Sequence, residues 1–429
     1  MRGTSRGAKA VVTGGLAGAL AIAACSLPDG AIRYCEPGTV ADQAAGECVT
    51  PTAGAGGQGG SAGASGGAGT GGAAGACEPE RLATDAKNCG ACGRDCRGAP
   101  CENGACQPEL LADRLTGPYG LVVADAGLLW ASPARDAKGD VAAPLLSLPR
   151  SAPQGALPSP LFGGSALRAR GVALAPGGEL VWGDLDGATI SRRSPGAAQA
   201  TALATGRPDV TRVVVAGEHV YWTQGALDAT RAEGGVYRAP LGGGPAEELA
   251  GAQLRPDALA VDGATAYWVN RGPDGQVMRA RAGAAPEIVE RAGDPIAVAA
   301  GGGRLAWAER SSGRVALLAE GALSATTLVR DATELVEGIA LEGDAVYRLA
   351  FRPDERRLVV KRSALDGGGE VLLTRIAPAD AGYSGNPLGP FVLALDEGYL
   401  YIADPGTLTA AAAGGPRSQK NGRMYRTAR

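Results

Sequence analysis

Five tryptophans, which are all the tryptophans of the chain, recur at similar intervals along its C-terminal three quarters: Trp130, Trp182, Trp222, Trp268 and Trp307. Each ends the same pattern, in which an apolar strand and a two-residue turn lead into a second strand with paired hydrophobes before the tryptophan. Two degenerate copies place Arg348 and Ile402 at this anchor position, so the mean spacing is about 45 residues. A period of this length with several short strands per unit is typical of β-propeller blades.

The clearest copies are 258–270 and 213–224, each followed by a third short strand. Alternating hydrophobes in runs of about five residues, separated by turn pairs such as Asp-Gly and Glu-Gly, indicate four-stranded antiparallel blades. The sequence therefore predicts an all-β fold, a seven-bladed β-propeller over residues 107–429, with six blades as the alternative. The tryptophans are interpreted as packing residues between blades. The polar residues that follow the anchors are interpreted as bonding backbone groups: Asp184, Gln224, Asn270, Glu309 and Asp404.

Closure of the ring can also be predicted. The last copy has only three strands after Phe391, and an unpaired outer edge is a liability that proteins avoid. The segment Glu109–Ala112 resembles the fourth strands of other copies, such as Glu370–Thr374. We therefore expect Glu109–Ala112 to complete the last blade alongside Met424–Arg426.

The boxes Tyr221-Trp222-Thr223-Gln224 and Tyr267-Trp268-Val269-Asn270 resemble the YWTD and NHL propeller repeats. They look most like the Tyr-Trp-Thr-Asn repeats of bacterial surface lipoproteins. The resemblance covers residues 107–429 and departs from the pattern in the first copy and in the last two, which lack the tryptophan. It implies a fold and little about function, because propellers have many activities.

The N-terminus has the features of an export signal. Basic residues precede an uncharged apolar run from Ala10 to Ala24, which is too short for a comfortable membrane span. The run ends in Ile22-Ala23-Ala24-Cys25, which resembles a bacterial lipobox. We expect residues 1–24 to be a cleaved signal peptide and Cys25 to be lipidated, which would anchor the protein in the outer membrane or at the cell surface of a Gram-negative bacterium.

The eight other cysteines are even in number, and export favours their oxidation. Cys35 and Cys48 are expected to pair within a lipidated segment of residues 25–50. Residues 51–76, nearly all small, predict a flexible linker. The last six cysteines define a small disulfide-rich module of residues 77–106, interpreted as a spacer, with zinc binding at the C-x-x-C of Cys89 and Cys92 as the alternative: Cys77, Cys89, Cys92, Cys96, Cys101 and Cys106.

Composition narrows the function. The net charge of −3 gives no indication of a nucleic-acid partner. The single histidine, His219, has no partner imidazole, and matches to nucleotide-binding and serine-hydrolase motifs fall in the glycine-rich linker. The sequence thus predicts no catalytic residue, no metal site and no cofactor.

The long segments between strands fall mostly on one face of the predicted propeller: 132–142, 224–234, 351–357, 377–390 and 405–420. Binding residues concentrate on such loops. We therefore expect a monomeric, non-enzymatic binding or scaffold module with a membrane anchor and a protein or polysaccharide ligand on this face. The alternatives are a lactonase- or esterase-like propeller hydrolase and a purely structural envelope component.

Overall fold

The computed structural model describes residues 77–132, 135–136, 145–161, 168–184, 187–225, 232–271, 274–379, 383, 391–409 and 417–429, and the backbone of four short N-terminal strands. The chain forms two compact units, residues 1–73 and 74–429. In the first, Ala24–Ser26 pairs with Ile32–Tyr34 and Val40–Asp42 pairs with Glu47–Val49. The side chains of Cys25, Cys35 and Cys48, and the linker, lie outside what the structure describes, so lipidation and the first disulfide stay predictions.

The second unit contains seven four-stranded antiparallel sheets, here called blades 1 to 7, which confirms the seven-bladed propeller. The inner strands of blades 1 to 7 are Tyr119–Ala124, Ala169–Ala175, Val210–Ala216, Pro256–Asp262, Pro295–Gly301, Leu335–Glu342 and Val392–Leu395. The second strands are Gly127–Ala131, Glu179–Asp184, His219–Gln224, Thr265–Asn270, Arg304–Glu309, Ala345–Arg352 and Tyr399–Asp404. The third strands are Leu145–Leu148, Thr189–Arg193, Gly234–Pro240, Gln276–Arg281, Arg314–Leu318, Arg357–Ala364 and Gly422–Ala428. The outer strands are Ser159–Pro160, Thr201–Ala204, Glu247–Gln253, Glu287–Arg291, Thr326–Arg330, Glu370–Ile376 and Glu109–Leu115.

Blade 7 is built from both ends of the propeller sequence. Glu109–Leu115 pairs with the C-terminal strand Gly422–Ala428, with Ala112 opposite Met424 and Glu109 opposite Arg426. The Arg426 guanidinium binds both carboxylate oxygens of Glu109, at 2.8 and 3.0 Å. The predicted closure is therefore confirmed, and the two ends are joined by a bidentate ion pair as well as by backbone hydrogen bonds.

The five anchor tryptophans are 0–1% exposed. Each packs against the preceding blade: Trp182 contacts Leu129 of blade 1, and Trp130 packs with Leu111 and Met424 of blade 7. Burying these indoles between sheets removes a large apolar area from water at each interface. The tryptophans thus lie buried between neighbouring blades.

Blade 6 replaces the tryptophan with a buried ionic network. Arg348 is 1% exposed and lies 2.7 Å from Glu334 and 2.9 Å from Glu370. Lys361 contacts the other oxygens of the same carboxylates, at 2.6 and 2.9 Å. Two cations thus meet two carboxylates, which is the condition for placing charges in an interior.

The cysteine-rich module contains a short 3-10 helix, Pro79–Arg81, and a hairpin of Cys101–Glu102 with Ala105–Cys106. Three disulfides hold it: Cys77–Cys92, Cys89–Cys101 and Cys96–Cys106. The oxidised state of these six cysteines agrees with the expectation. The zinc alternative does not fit, because Cys89 and Cys92 belong to different disulfides.

The module is packed against the propeller, and this differs from the expected spacer. The buried Arg94 donates to the carbonyls of Leu372 and Leu373 in the outer strand of blade 6, at 2.9 and 2.6 Å. Ala428 of blade 7 packs against Cys89 and neighbouring cysteines. The module thus covers part of an outer strand edge beside the closing blade. Among the residues that the structure describes, no helix has the length and apolar character needed to cross a bilayer.

Candidate functional site

The inner strands surround the central channel, and six of the seven carry a β-bulge near their first residues. In each case one residue of the inner strand, called the skipped residue, has no partner on the second strand. It lies one or two positions before the residue that pairs with the anchor. A bulge bends its strand and re-aims the side chains around it. The skipped residues are Gly120, Gly171, Thr211, Ala258, Ile296 and Glu337.

Two of these bulges require glycine. Gly120 and Gly171 have φ values of +62° and +69°, which side chains other than glycine rarely adopt. A Cβ on Gly120 would lie 3.0 Å from the backbone nitrogen of Val172, and one on Gly171 would lie 3.0 Å from that of Val213. The inner strands of blades 1 to 3 therefore approach each other backbone to backbone at this end of the channel.

This end of the channel contains a cavity of about 260 Å³, which we call the channel mouth. All seven inner strands contribute to its wall, through Gly120, Gly171, Arg212, Asp257, Ile296, Glu337 and Val392 among others. Leu121, Val172 and Val213 supply apolar wall, and Arg271 follows the second strand of blade 4 into it. The channel mouth is therefore a partly apolar pocket with a few charged groups, a combination that small-molecule sites also show.

The charged groups on one side form an arginine cluster, Arg170, Arg212 and Arg271, around Asp257. The Nε of Arg212 lies 3.4 Å from one carboxylate oxygen of Asp257, and the Nη1 of Arg271 lies 3.3 Å from the other. Burial alone would raise the pKa of Asp257, but Arg212 and Arg271 outweigh it and hold that pKa below its usual value. The carboxylate thus stays ionised and joins blades 3 and 4.

Tyr119 of blade 1 supports the arginine cluster. The guanidinium carbons of Arg170 and Arg212 lie 5.0 and 4.7 Å from the centre of its ring. The electron-rich face of an aromatic ring attracts such cations. Burial would lower the pKa of Arg170, but Tyr119 and Asp257 raise it overall, so this group stays protonated.

The other side of the channel mouth contains a second charged group, Glu337, which is 4% exposed. Its carboxylate accepts from Arg310 at 2.9 Å and from the Tyr383 hydroxyl at 2.6 Å. Burial raises the pKa of Glu337 and outweighs the opposing effects of Arg310 and Tyr383. Burial, together with the adjacent carboxylate, also raises the pKa of Tyr383.

Tyr383 is held in this position by aromatic contacts. Its ring meets Phe351 and Phe391 edge to face, with centroid separations of 4.9 and 5.3 Å. Such geometry is favoured over face-to-face stacking. These contacts hold the Tyr383 phenol beside Glu337, in the core that blades 6 and 7 share.

The polar residues after the anchors have mixed roles. Asp184 accepts from the backbone of Gly187, and Asp404 from that of Gly406, as predicted. Asn270 instead bonds Trp268 and Gln253 side chains, and Glu309 bonds Arg314 and Ser312. These two differ from the expectation because polar side chains of neighbouring strands lie within their reach. The Oε1 of Gln224 is buried with no hydrogen-bond partner among the described residues.

The loop face is only partly described. Arg135–Asp136 pairs in parallel with Arg417–Ser418, which also pairs with Leu408–Thr409, so segments from blades 1 and 7 form a small sheet. The predicted loop 351–357 is wrong. Strands Ala345–Arg352 and Arg357–Ala364 pair as far as Arg352 opposite Arg357 and leave only a four-residue turn, because residues 345–351 are all buried and keep the first strand in the sheet. Much of the other long loops lies outside the described residues.

Sequence reasoning assigned no residue to the channel mouth. One signal was present: Arg170, Asp257 and Glu337 each lie two residues before the anchor's partner, and the strand residues directly before and after each of them carry no polar side chain. A charged residue at a repeated position of an inner strand indicates a channel-facing group. His219 lies at the start of the second strand of blade 3, whereas the channel mouth adjoins the ends of the second strands.

No protein-family model and no curated relative matches the chain. Among solved structures, U3-55K is matched with a TM-score of 0.54 at 14% identity, over 75% of this chain and 98% of that one. A catalytically inactive histidine-to-alanine variant of virginiamycin B lyase from Staphylococcus aureus, with quinupristin, gives 0.50 at 10% identity, over 75% and 98%. A chain of a nidogen–laminin complex gives 0.41 at 14% identity, over 61% and 98%. At these identities the first two of these comparisons show the propeller fold alone.

Proposed function

We propose that this protein is a surface-tethered, non-enzymatic binding module whose propeller takes a small polar ligand at the channel mouth. The observation that carries the proposal is the 260 Å³ cavity to which every inner strand contributes wall and which contains ionised groups of both signs. Glycines at two bulges let the inner strands of blades 1 to 3 approach one another closely at this end of the channel. The tether is Cys25 behind the lipobox-like sequence, and the membrane anchor places the propeller at the envelope surface.

Binding is favoured over hydrolysis by the state of the acidic groups. Among the described residues that line the cavity, the carboxylates are Asp257 and Glu337, and each is held by arginine. A divalent cation prefers several carboxylate and carbonyl oxygens grouped together. Asp257 is a poor general base, because Arg212 and Arg271 lower its pKa and occupy its oxygens.

The proposal is tested by filling the cavity without changing its charge. Ala297→Trp places an indole in the channel mouth, and Ala284→Trp, on an exposed turn of blade 4, is the matched control. A set of small acids, sugars and peptides is screened for ligands that raise the unfolding temperature of the wild-type protein. A ligand at 100 times its Kd adds about 2.7 kcal/mol of stability. We expect the stabilisation to disappear in Ala297→Trp and to persist in Ala284→Trp; a hit that is unaffected by Ala297→Trp would bind elsewhere.

A second candidate function is supported by Glu337. A buried carboxyl with a raised pKa, beside a phenol and facing a cavity, has the features of a general acid. On this alternative the propeller would be a hydrolase or lyase, and Glu337→Gln would abolish turnover of any substrate found while leaving its binding intact. A binding module would show tight binding and no turnover in the wild-type protein.

A further inference from the structure

We infer that the group recognised at the channel mouth is a carboxylate on a short apolar stem, bound by the arginine cluster. This inference rests on the proposed function and specifies the ligand class for the same site. It is carried by the arrangement of Arg212 and Arg271, which come from neighbouring blades and both line the cavity.

These two arginines already hold a carboxylate. Arg212 approaches one oxygen of Asp257 and Arg271 approaches the other, at 3.4 and 3.3 Å. A guanidinium carries five N–H donors in a planar fork that matches a carboxylate. Asp257 is contacted through one nitrogen of each in these pairs, so the same two forks present further donors at the cavity wall. The geometry that grips Asp257 thus suits a second carboxylate beside it.

The charges favour an anion. The arginine cluster contributes three guanidinium groups, with Asp257 as the carboxylate in their midst, while Glu337 is bound by Arg310. The exposed Asp209 acts on Arg170 from outside, and Asp294 acts on Arg310. Arg212 and Arg271 balance Asp257 and Glu337 on the cavity wall, and Arg170 beside Asp257 and Arg310 beside Glu337 add two positive charges next to it, so an entering carboxylate meets attraction in a partly desolvated site.

The size and wall of the cavity limit the rest of the ligand. A volume of 260 Å³ equals the space of about nine water molecules and lies below the usual range for drug-sized ligands. Leu121, Val172 and Val213 give an apolar wall for methylene groups. The channel mouth thus fits a small dicarboxylic acid or a single acidic side chain, and the two share one chemistry.

The test uses isothermal titration of the purified protein with glutarate, with the neutral isostere glutaramide, and with acetyl-glutamyl-glycine amide. We expect glutarate or the glutamyl peptide to bind at least ten times more tightly than glutaramide, and more weakly as salt is raised. Tighter binding of glutarate would identify a free acid as the natural ligand, and tighter binding of the peptide would identify an acidic side chain. Arg271→Gln should weaken binding at least tenfold. Arg279→Gln, which removes an exposed arginine paired with Glu287 in the same blade, should leave it unchanged.

Asp257→Asn separates recognition from a structural role. It keeps the shape of the side chain and removes the carboxylate that competes for the arginines, so binding of glutarate should become several times tighter. If Arg271 and Asp257 only maintained the structure of the pocket, both Arg271→Gln and Asp257→Asn would lose binding. If glutarate, the peptide and glutaramide all bind equally or not at all, the carboxylate inference is wrong. The proposed function would still stand if another ligand binds the wild-type protein and its binding is lost in Ala297→Trp. It would fail if no ligand behaves in this way.

Discussion

The docking of the cysteine-rich module predicts that one arginine of the module stabilises the propeller. Arg94 is buried and donates to the carbonyls of Leu372 and Leu373 in blade 6 and to that of Cys89 in the module. Arg94→Leu retains an apolar side chain at the interface and removes all three hydrogen bonds. We expect the propeller itself to lose stability.

The magnitude follows from two opposing contributions. A hydrogen bond from a charged donor contributes about 1.5–3 kcal/mol, so the two bonds that reach Leu372 and Leu373 give about 3–6 kcal/mol. Burial of the charged group offsets part of this. It lowers the pKa of Arg94 well below its ordinary value, to about 10, which corresponds to about 3 kcal/mol. The expected net loss in the free energy of unfolding is therefore about 0–3 kcal/mol, centred on about 1.5 kcal/mol.

Tryptophan fluorescence during urea unfolding measures this effect on the propeller alone, because all five tryptophans lie in the propeller and the module contains none. The transition of Arg94→Leu should move to lower urea concentration with an unchanged slope. Arg81→Leu is the matched control, since Arg81 is an exposed arginine of the same module paired with Glu78 at 3.8 Å. Exposed pairs of this kind contribute little, so its transition should coincide with that of the wild type.

A fluorescence transition of Arg94→Leu that coincides with the wild type would refute the reasoning. The module would then be an energetically independent spacer, as the sequence alone indicated. Cys96→Ser gives a second measurement, because the Cys96–Cys106 disulfide holds the hairpin strand that lies against Glu370–Ile376. Loosening that hairpin should move the propeller transition in the same direction as Arg94→Leu.

Three further predictions concern closure, pH and the tether. In a double-mutant cycle, Glu109→Gln and Arg426→Met should show a coupling of about 1 kcal/mol in urea unfolding, because their bidentate pair joins the two ends of the ring; additive effects would mean that the backbone ladder alone closes it. The pKa of Glu337 is raised above its ordinary 4.5, so the native state binds this proton more tightly. Its stabilising contribution is full below pH 4.5 and is lost as pH rises through the raised pKa. From pH 4.5 upwards, the free energy of unfolding should therefore decrease more steeply with pH for the wild type than for Glu337→Gln. Identical pH profiles would contradict the raised pKa of Glu337. Cys25→Ser should move the protein from the detergent phase to the aqueous phase on phase partitioning, and a variant that still partitions with detergent would place the anchor elsewhere.

The fold could be predicted from the sequence because each blade repeats a local pattern. The turn pairs and the alternation of apolar residues determine hairpins over about 45 residues, and the tryptophan marks the same strand position in five copies. Closure was also accessible, since Glu109–Ala112 has the character of a fourth strand and the last copy lacks one. Turn pairs, apolar alternation and the strand character of a short segment are all set by residues close together in the chain. A single sequence is therefore enough to predict them.

The channel mouth and the module interface were decided by tertiary structure. Arg170, Arg212, Asp257 and Glu337 belong to four blades and are brought around one cavity only when the ring closes. The bulges also shift the register by one residue, so the strand pattern does not tell which side chains turn towards the channel. Arg94 likewise finds its acceptors in backbone carbonyls some 280 residues away, and carbonyls carry no signal in the sequence. Long-range contacts between groups of this kind depend on the three-dimensional path of the whole ring, and a repeat pattern records only what each blade does by itself.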